Sequence, residues 1–242
     1  MSLDLERTDK MDARINQRGS ELFFDEVAIK YGASHGVDNF LVLYGAGRAG
    51  VMGDVTAAQA VSAFGFFEPG LVHKMWSSMD ADVRPSAVAE VFAGALAAAA
   101  RERWDEATAG VVARIGRKAA DSVTPLGMPL FAGWRDMSVP DDPIGAAALT
   151  VMTLRELRGD IHIQSIAASG VGPLEADFFT RGEQGVQLHG WKPPYPDVAT
   201  HAEAMAAAQA STSARMGRIY AAALDESELD ALDEAVRHLR KR

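Results

Sequence analysis

Residues 142–170 constrain the fold more than any other part of the chain, because nothing after Pro143 interrupts a helix before Gly159. Asp142 is a residue type that caps helix N-termini, and Pro143 suits the first helical position. The pattern predicts a long helix that ends at Gly159 or, preferably, at Gly170. Apolar residues recur on all of its sides, which is typical of a helix enclosed by other helices.

Nine residues of this predicted helix, with the sequence LRELRGDIH, concentrate charge in an element that otherwise has the pattern of a buried one. Burying a charge requires either a partner or a ligand. At about 100° per residue, the ionisable side chains divide between two neighbouring sides of the helix. The basic side contains Arg155, Arg158 and His162, and the acidic side contains Glu156 and Asp160.

Neither side has the pairing that exposed helices use. Opposite charges four residues apart stabilise a helix surface, whereas both sides of this helix repeat the same sign at that spacing. We therefore expect the partners to come from other elements. Arg48 and Glu68 are the first candidates, because each is flanked by apolar residues in its own predicted helix.

Two uses of the charge cluster stay open at this point. One is a closed ion network that only holds the bundle together. The other is an interior pocket in which the basic side binds a small polar or anionic ligand, while Glu156 or Asp160 orients the basic groups. His162 could then act as an acid or a base, although the sequence does not establish that any reaction is catalysed. The candidate apolar walls are Tyr44, Trp76 and Trp134, together with Phe64 and Phe67.

The rest of the chain also has helical patterns. A helical period extends from about Arg7 to Tyr31. Pairs of residues that form capping boxes predict the starts of later helices. These pairs are Thr56 with Gln59, Thr200 with Glu203, and Asp225 with Glu228.

Proline and glycine cluster in residues 121–140 and 182–196, which indicates two long loops. A small β-hairpin near residues 184–191 is the one place where strands are an option. The sequence therefore predicts an all-α fold, a multi-helix bundle. We expect an N-terminal helical region, residues 1–140, and a helix-turn-helix-like region with the C-terminal helices, residues 141–242, to form one compact unit.

The glycine pattern GAGRAG at residues 45–50 has the spacing of a dinucleotide-binding loop. That loop requires a second strand soon afterwards, and the sequence from Thr56 onward is helical instead. The pattern therefore favours a helix over about residues 37–50 and predicts no nucleotide cofactor. A metal site is not predicted either, because His162 lies about 160° round its helix from Asp160.

The composition narrows the range of partners. A formal net charge of −9 opposes broad attraction to nucleic acid or anionic lipid. The absence of cysteine excludes disulfides and thiolate zinc sites. No apolar run reaches the ~18 residues that a membrane span needs. We expect a soluble, cytoplasmic protein without a membrane partner.

A resemblance rests on the order of several segments: YGAGRAGVMGDV, FGFFEPGLVHKMW, PLFAGW, LRELRGDIH and the later Gly190–Trp191 pair. Together they resemble an uncharacterised actinobacterial family described as helix-turn-helix or winged-helix-like, over most of residues 37–191. The resemblance implies a fold and very little about activity. Members have a longer winged segment after the Gly–Trp pair, whereas here WKPPYP leads directly into a predicted helix.

Residues 166–179 contain the helix, the turn at Gly170 and the second helix that such a fold requires, with Phe179 in a core-like position. A recognition helix offers basic or amide side chains to DNA, but this one offers Glu175 and Asp177. We therefore rank DNA binding as a transcriptional regulator below ligand binding. The alanine-rich C-terminal helices leave a homodimer open.

Overall fold

Helices make up all of the regular structure between residues 4 and 240 in the computed structural model of the protein. Residues 1–3 and 241–242, the outer ends of the two predicted regions, lie outside the described part. The all-α prediction is confirmed. The helices are α1 (Leu5–Phe23), α2 (Glu26–Ser34), α3 (Phe40–Ala49), α4 (Ala57–Phe64), α5 (Pro69–Ser77), α6 (Pro85–Arg103), α7 (Glu106–Val111), α8 (Arg117–Asp121), α9 (Pro129–Asp136), α10 (Pro143–Ser169), α11 (Pro173–Leu188), α12 (Ala202–Ala223) and α13 (Glu226–His238), with a π-helical segment (Val112–Gly116) and two short 3-10 helices (Gly50–Met52 and Ala199–His201).

The long helix predicted from the sequence is α10, and it lies at the centre of the bundle. The Asp142 side chain accepts a hydrogen bond from the backbone N–H of Gly145 at 2.9 Å, which caps the N-terminus. Gly170 ends the helix with a φ of 74°, in the left-handed region that glycine adopts without strain. The neighbours α1, α6, α9 and α12 all pack against α10, which explains why its apolar residues face every direction.

Three predicted boundaries were wrong. The helix expected from Arg7 to Tyr31 is divided into α1 and α2, because Asp25 accepts a hydrogen bond from the backbone N–H of Val27 and starts a new helix. The loop expected at residues 121–140 contains α9, in which Pro129 occupies the first helical position rather than breaking a helix. The loop expected at residues 182–196 is shorter, since α11 continues to Leu188.

The candidate β-hairpin at residues 184–191 was also wrong, and residues 4–240 contain no strand. Gly182 has a φ of 65° and a ψ of −171°, so it forms a kink inside α11 instead of a hairpin turn. The capping boxes at Thr56 and Asp225 are confirmed. The one expected at Thr200 is absent, because a 3-10 helix (Ala199–His201) leads into α12.

The segment predicted to form a helix-turn-helix folds as α10, the connection at residues 170–172, and α11. Small and apolar side chains on both sides of the connection form a separate core with α12. This core contains Ile166, Val171, Ala176, Met205 and Ala208. Phe179 is not a core residue as expected, since 42% of it is exposed.

Contacts cross the predicted boundary between residues 140 and 141. The N-terminal helix α1 packs against α10, α12 and α13. Ion pairs support this arrangement, as in the contact of 2.6 Å between Arg14 on α1 and Asp233 on α13. No helix within residues 4–240 is both long enough and apolar enough to cross a membrane.

Candidate functional site

A cavity of about 800 Å³ lies beside the basic side of α10. Helices α1 and α3 form its walls together with the connection between α4 and α5, and α11 and α12 complete it. Of the predicted site residues, seven line the cavity. They are Tyr44, Arg48, Phe64, Phe67, Arg155, Arg158 and His162.

The acidic side of α10 is satisfied by other elements, as predicted, and Arg48 on α3 is the partner of Glu156. Arg48 Nε donates to Glu156 Oε1 at 2.8 Å, and Arg48 Nη2 donates to Oε2 at 2.9 Å. Both side chains are buried. Burial alone would raise the pKa of Glu156, but the charges of Arg48 and Arg155 outweigh it and hold that pKa below its usual range. The pair is therefore ionised at neutral pH.

Arg155 has a partner that the sequence reasoning did not foresee. Its Nη1 donates to Glu156 Oε1 at 2.6 Å, so neighbouring residues of the same helix pair after all. The guanidinium lies 4.9 Å from the ring centre of Phe23. The buried Nε of Arg155 makes no hydrogen bond to any residue between 4 and 240. Burial lowers the pKa of Arg155, yet an arginine stays protonated throughout the physiological range.

Asp160, the other acidic residue, binds backbone rather than a cation. Its Oδ2 accepts a hydrogen bond from the N–H of Phe131 at 3.0 Å. The residue that precedes α9, Met128, offers no side-chain cap, so Asp160 caps α9 from a different helix. Burial raises the pKa of Asp160 to about 7, although the hydrogen bond from Phe131 opposes that shift.

Glu68 was wrong as a partner for α10. Its side chain accepts a hydrogen bond from the backbone N–H of Leu71 at 2.8 Å and caps α5.

Trp76 and Trp134 were wrong as cavity walls. The Nε1 of Trp76 donates to the carbonyl of Val55, and that of Trp134 donates to the carbonyl of Arg48. The aromatic side chains that line the cavity are Tyr44, Phe64, Phe66, Phe67 and Phe179.

Arg158 faces Asp12, a cavity residue that the sequence reasoning missed. Arg158 Nε lies 3.7 Å from Asp12 Oδ2, and Arg158 Nη2 donates to Gln209 Oε1 at 3.3 Å. Asp12 Oδ1 accepts a hydrogen bond of 2.8 Å from the hydroxyl of Tyr220. A signal for Asp12 exists in the sequence, because it lies on the apolar side of α1 between Met11 and Ile15.

His162 is held as a neutral ring. Its Nδ1 lies 3.1 Å from the hydroxyl oxygen of Thr212, and the ring of Phe66 packs at 5.9 Å. Burial, followed by the charge of Arg158, lowers the pKa of His162 to about 4. At neutral pH it therefore adds no charge to the cavity and can take part in hydrogen bonds as a donor or an acceptor. Residues 4–240 hold no group of three or more His, Asp or Glu arranged for a metal ion.

In α11, the second helix of the predicted helix-turn-helix, one carboxylate does not have the outward position that the sequence predicts. Asp177 does not face outward, because it is 2% exposed and accepts from His189 Nδ1 at 2.8 Å. Arg181 Nε lies 3.2 Å from its other oxygen. The exposed side of α11 between residues 180 and 188 offers Glu183, Gln184 and Gln187, with Arg181 as its cation.

Comparison with known proteins gives one match, which covers nearly the whole chain. The profile of a helix-turn-helix family matches residues 8–242, so the chain belongs to that family. The resemblance to a helix-turn-helix family is thus confirmed. No curated protein and no solved structure matches the chain.

Proposed function

We propose that the cavity binds a small organic anion with an apolar body. The observation that carries this proposal is the arrangement of guanidinium groups along one wall. Arg48 and Arg155 share the carboxylate of Glu156, so two guanidinium groups at this end of the cavity have one hydrogen-bonded carboxylate between them. Arg158 adds a third guanidinium one turn further along α10. Such groups bind carboxylates and phosphates more strongly where water is largely excluded.

The size and lining of the cavity support the same proposal. Binding sites for small molecules have volumes of roughly 300–1,000 Å³ and combine apolar walls with a few polar groups. The volume here is about 800 Å³. Among the aromatic lining residues, the ring centres of Tyr44 and Phe67 lie 6.1 Å apart, and Phe64 packs at 5.4 Å from Phe67. These rings would receive the apolar part of the ligand.

A thermal-shift screen with small carboxylates tests the proposal. We expect some of them to raise the melting temperature of the wild type, and Arg158→Ala to abolish that response because it removes a cation from the cavity. Arg14→Ala is a matched control, since the Arg14 side chain is 28% exposed against 26% for Arg158 but lies outside this cavity. If no carboxylate shifts the wild type, or if Arg158→Ala responds like Arg14→Ala, the proposal fails.

DNA binding is the second candidate, and membership of a helix-turn-helix family favours it. Fold does not fix function, however, and the exposed side of α11 offers few cations to phosphates. Titration of duplex DNA against salt separates the candidates: tight binding at physiological salt with a steep salt dependence would reverse our order. A homodimer and a specific relation to actinobacterial proteins through the LRELRGDIH segment stay predictions. Analytical ultracentrifugation tests the first.

A further inference from the structure

On the basis of the proposed function, we infer that the cavity selects carboxylates that have a hydroxyl or amino group on carbon 2, and that Asp12 accepts the hydrogen bond from that group. The inference starts from Asp12 Oδ2. Asp12 lines the cavity but is only 2% exposed. Its Oδ2 is a buried oxygen with no hydrogen-bond donor among residues 4–240.

An unsatisfied carboxylate oxygen in this position is costly. A buried acceptor without a donor loses its hydration and gains nothing in return, and such atoms are rare in folded proteins. The nearest cation, Arg158, contributes its charge but no hydrogen bond, because the 3.7 Å between Arg158 Nε and Asp12 Oδ2 exceeds a normal hydrogen bond. Tyr220 satisfies only the other oxygen, Oδ1. A bound molecule that carries a hydrogen-bond donor would give Asp12 Oδ2 the partner that it lacks.

The position of Arg158 defines what that molecule looks like. An anion-binding guanidinium and an unsatisfied acceptor lie side by side in the cavity wall. In a 2-hydroxy or 2-amino acid, the carboxylate and the donor are both attached to carbon 2, so they can reach two such neighbouring groups at once. A simple carboxylate can use Arg158 alone. The paired arrangement therefore favours the substituted acid.

The lining next to this pair is apolar. One turn further along α10, Phe66 packs against His162, and Met205 from α12 lines the same cavity. The side chain of the bound acid would lie against these residues. Asp9, which also lines the cavity, is already paired, since its Oδ1 accepts a hydrogen bond of 2.6 Å from Ser213. Asp9 therefore serves as a control for the role assigned to Asp12.

Isothermal titration calorimetry with three matched compounds tests the inference. Phenylalanine, 3-phenyllactate and 3-phenylpropionate have the same ring and carboxylate but differ in the group on carbon 2. The titrations are run about one pH unit above 7, because burial raises the pKa of Asp12 to about 7 and the ionised form is wanted. We expect phenylalanine or 3-phenyllactate to bind the wild type about tenfold or more tightly than 3-phenylpropionate.

Two variants test whether Asp12 causes the preference for acids with a hydroxyl or amino group on carbon 2. In Asp12→Asn we expect the preference to fall to within about twofold, because the acceptor is replaced by a donor, whereas Asp9→Asn on the same helix should keep it. Comparing the compounds within each variant cancels general losses of affinity. The wild-type comparison is informative even if Asp12→Asn does not fold.

The outcomes separate the two proposals. Equal affinity of all three compounds for the wild type would overturn the inference while leaving the proposed anion site intact. A preference that survives in Asp12→Asn would remove Asp12 from the site. If none of the three compounds binds, the inference is overturned, and the proposed function also fails only if no carboxylate shifts the melting temperature of the wild type in the thermal-shift screen.

Discussion

Replacing Glu156 with glutamine isolates the energetic role of the buried ion pair on α10. The substitution keeps the size of the side chain and one carbonyl oxygen but removes the charge that Arg48 and Arg155 share. Glu156 is 0% exposed and Arg48 is 7% exposed. Two guanidinium groups would then lie at a buried position without a counterion.

The expected loss follows from that burial. Removing one partner of a buried, hydrogen-bonded ion pair costs about 3–5 kcal/mol, mainly because the other charge stays desolvated. Glutamine can still accept one hydrogen bond, so we expect a value near the lower end, about 3 kcal/mol. For a chain of this length, this loss corresponds to a fall in melting temperature of about 6–12 °C. The matched control is Glu234→Gln, which removes the charge of a side chain that is 63% exposed and paired at the surface. It should change the stability by less than about 1 kcal/mol.

Urea unfolding of the two variants measures these values, and its pH dependence adds a second check. The pKa of Glu156 is lowered in the folded protein, so the stability that its charge contributes is present above the ordinary glutamate pKa of 4.5 and is lost as the pH falls through the lower folded value. The gap between wild type and Glu156→Gln should therefore close in acid. Equal loss for Glu156→Gln and Glu234→Gln at neutral pH would refute our account of the network.

Three further predictions follow from local geometry. Gly50→Ala should destabilise the protein by at least about 2 kcal/mol, because its Cβ would lie 1.9 Å from the Pro85 carbonyl oxygen. Gly159→Ala, whose Cβ would have its nearest contact at 3.7 Å, should instead stabilise α10 by about 0.5–1 kcal/mol. Thermal unfolding of both variants tests these two values. The pKa of Asp160 is raised from 3.8 to about 7, so its contribution to stability is complete below 3.8 and is lost as the pH rises through 7. Relative to Asp160→Asn, the wild type should lose up to about 4 kcal/mol in unfolding measurements between pH 4 and 8, and a pH-independent difference would contradict the shift. The ring resonances of His162 should titrate with a pKa of about 4 in NMR spectra, and a pKa near 6.5 would show that the ring is solvated.

The central helix could be predicted because its signals are local. Asp142, Pro143 and Gly170 define α10 by capping chemistry that depends only on neighbouring residues. Arg48 could be predicted as a partner for α10 because a single charge in an apolar helix requires compensation from elsewhere. Both inferences used burial inferred from sequence, and both agree with the structure.

Other features depend on contacts that no local pattern encodes. The partner of Asp160 is the backbone N–H of Phe131, and a backbone donor has no sequence signature. The same contact gives α9 an N-terminal cap that the sequence around Met128 does not offer, and the proline and glycine residues there predict a loop instead. Glu68 failed as a partner for the opposite reason, since a purely local role, the capping of α5, satisfies it.

The two explanations of the LRELRGDIH segment apply to different residues of it. Glu156 and Asp160 both have partners inside the protein, the guanidinium of Arg48 and the backbone N–H of Phe131. Near Arg158 the situation differs, because Asp12 Oδ2 is buried without a donor from residues 4–240. A purely structural network gains nothing from such an atom, whereas a binding site gains an acceptor that is already desolvated. The two substitutions should therefore have different effects. Glu156→Gln lowers the free energy of unfolding without any ligand, whereas Asp12→Asn changes which carboxylate binds.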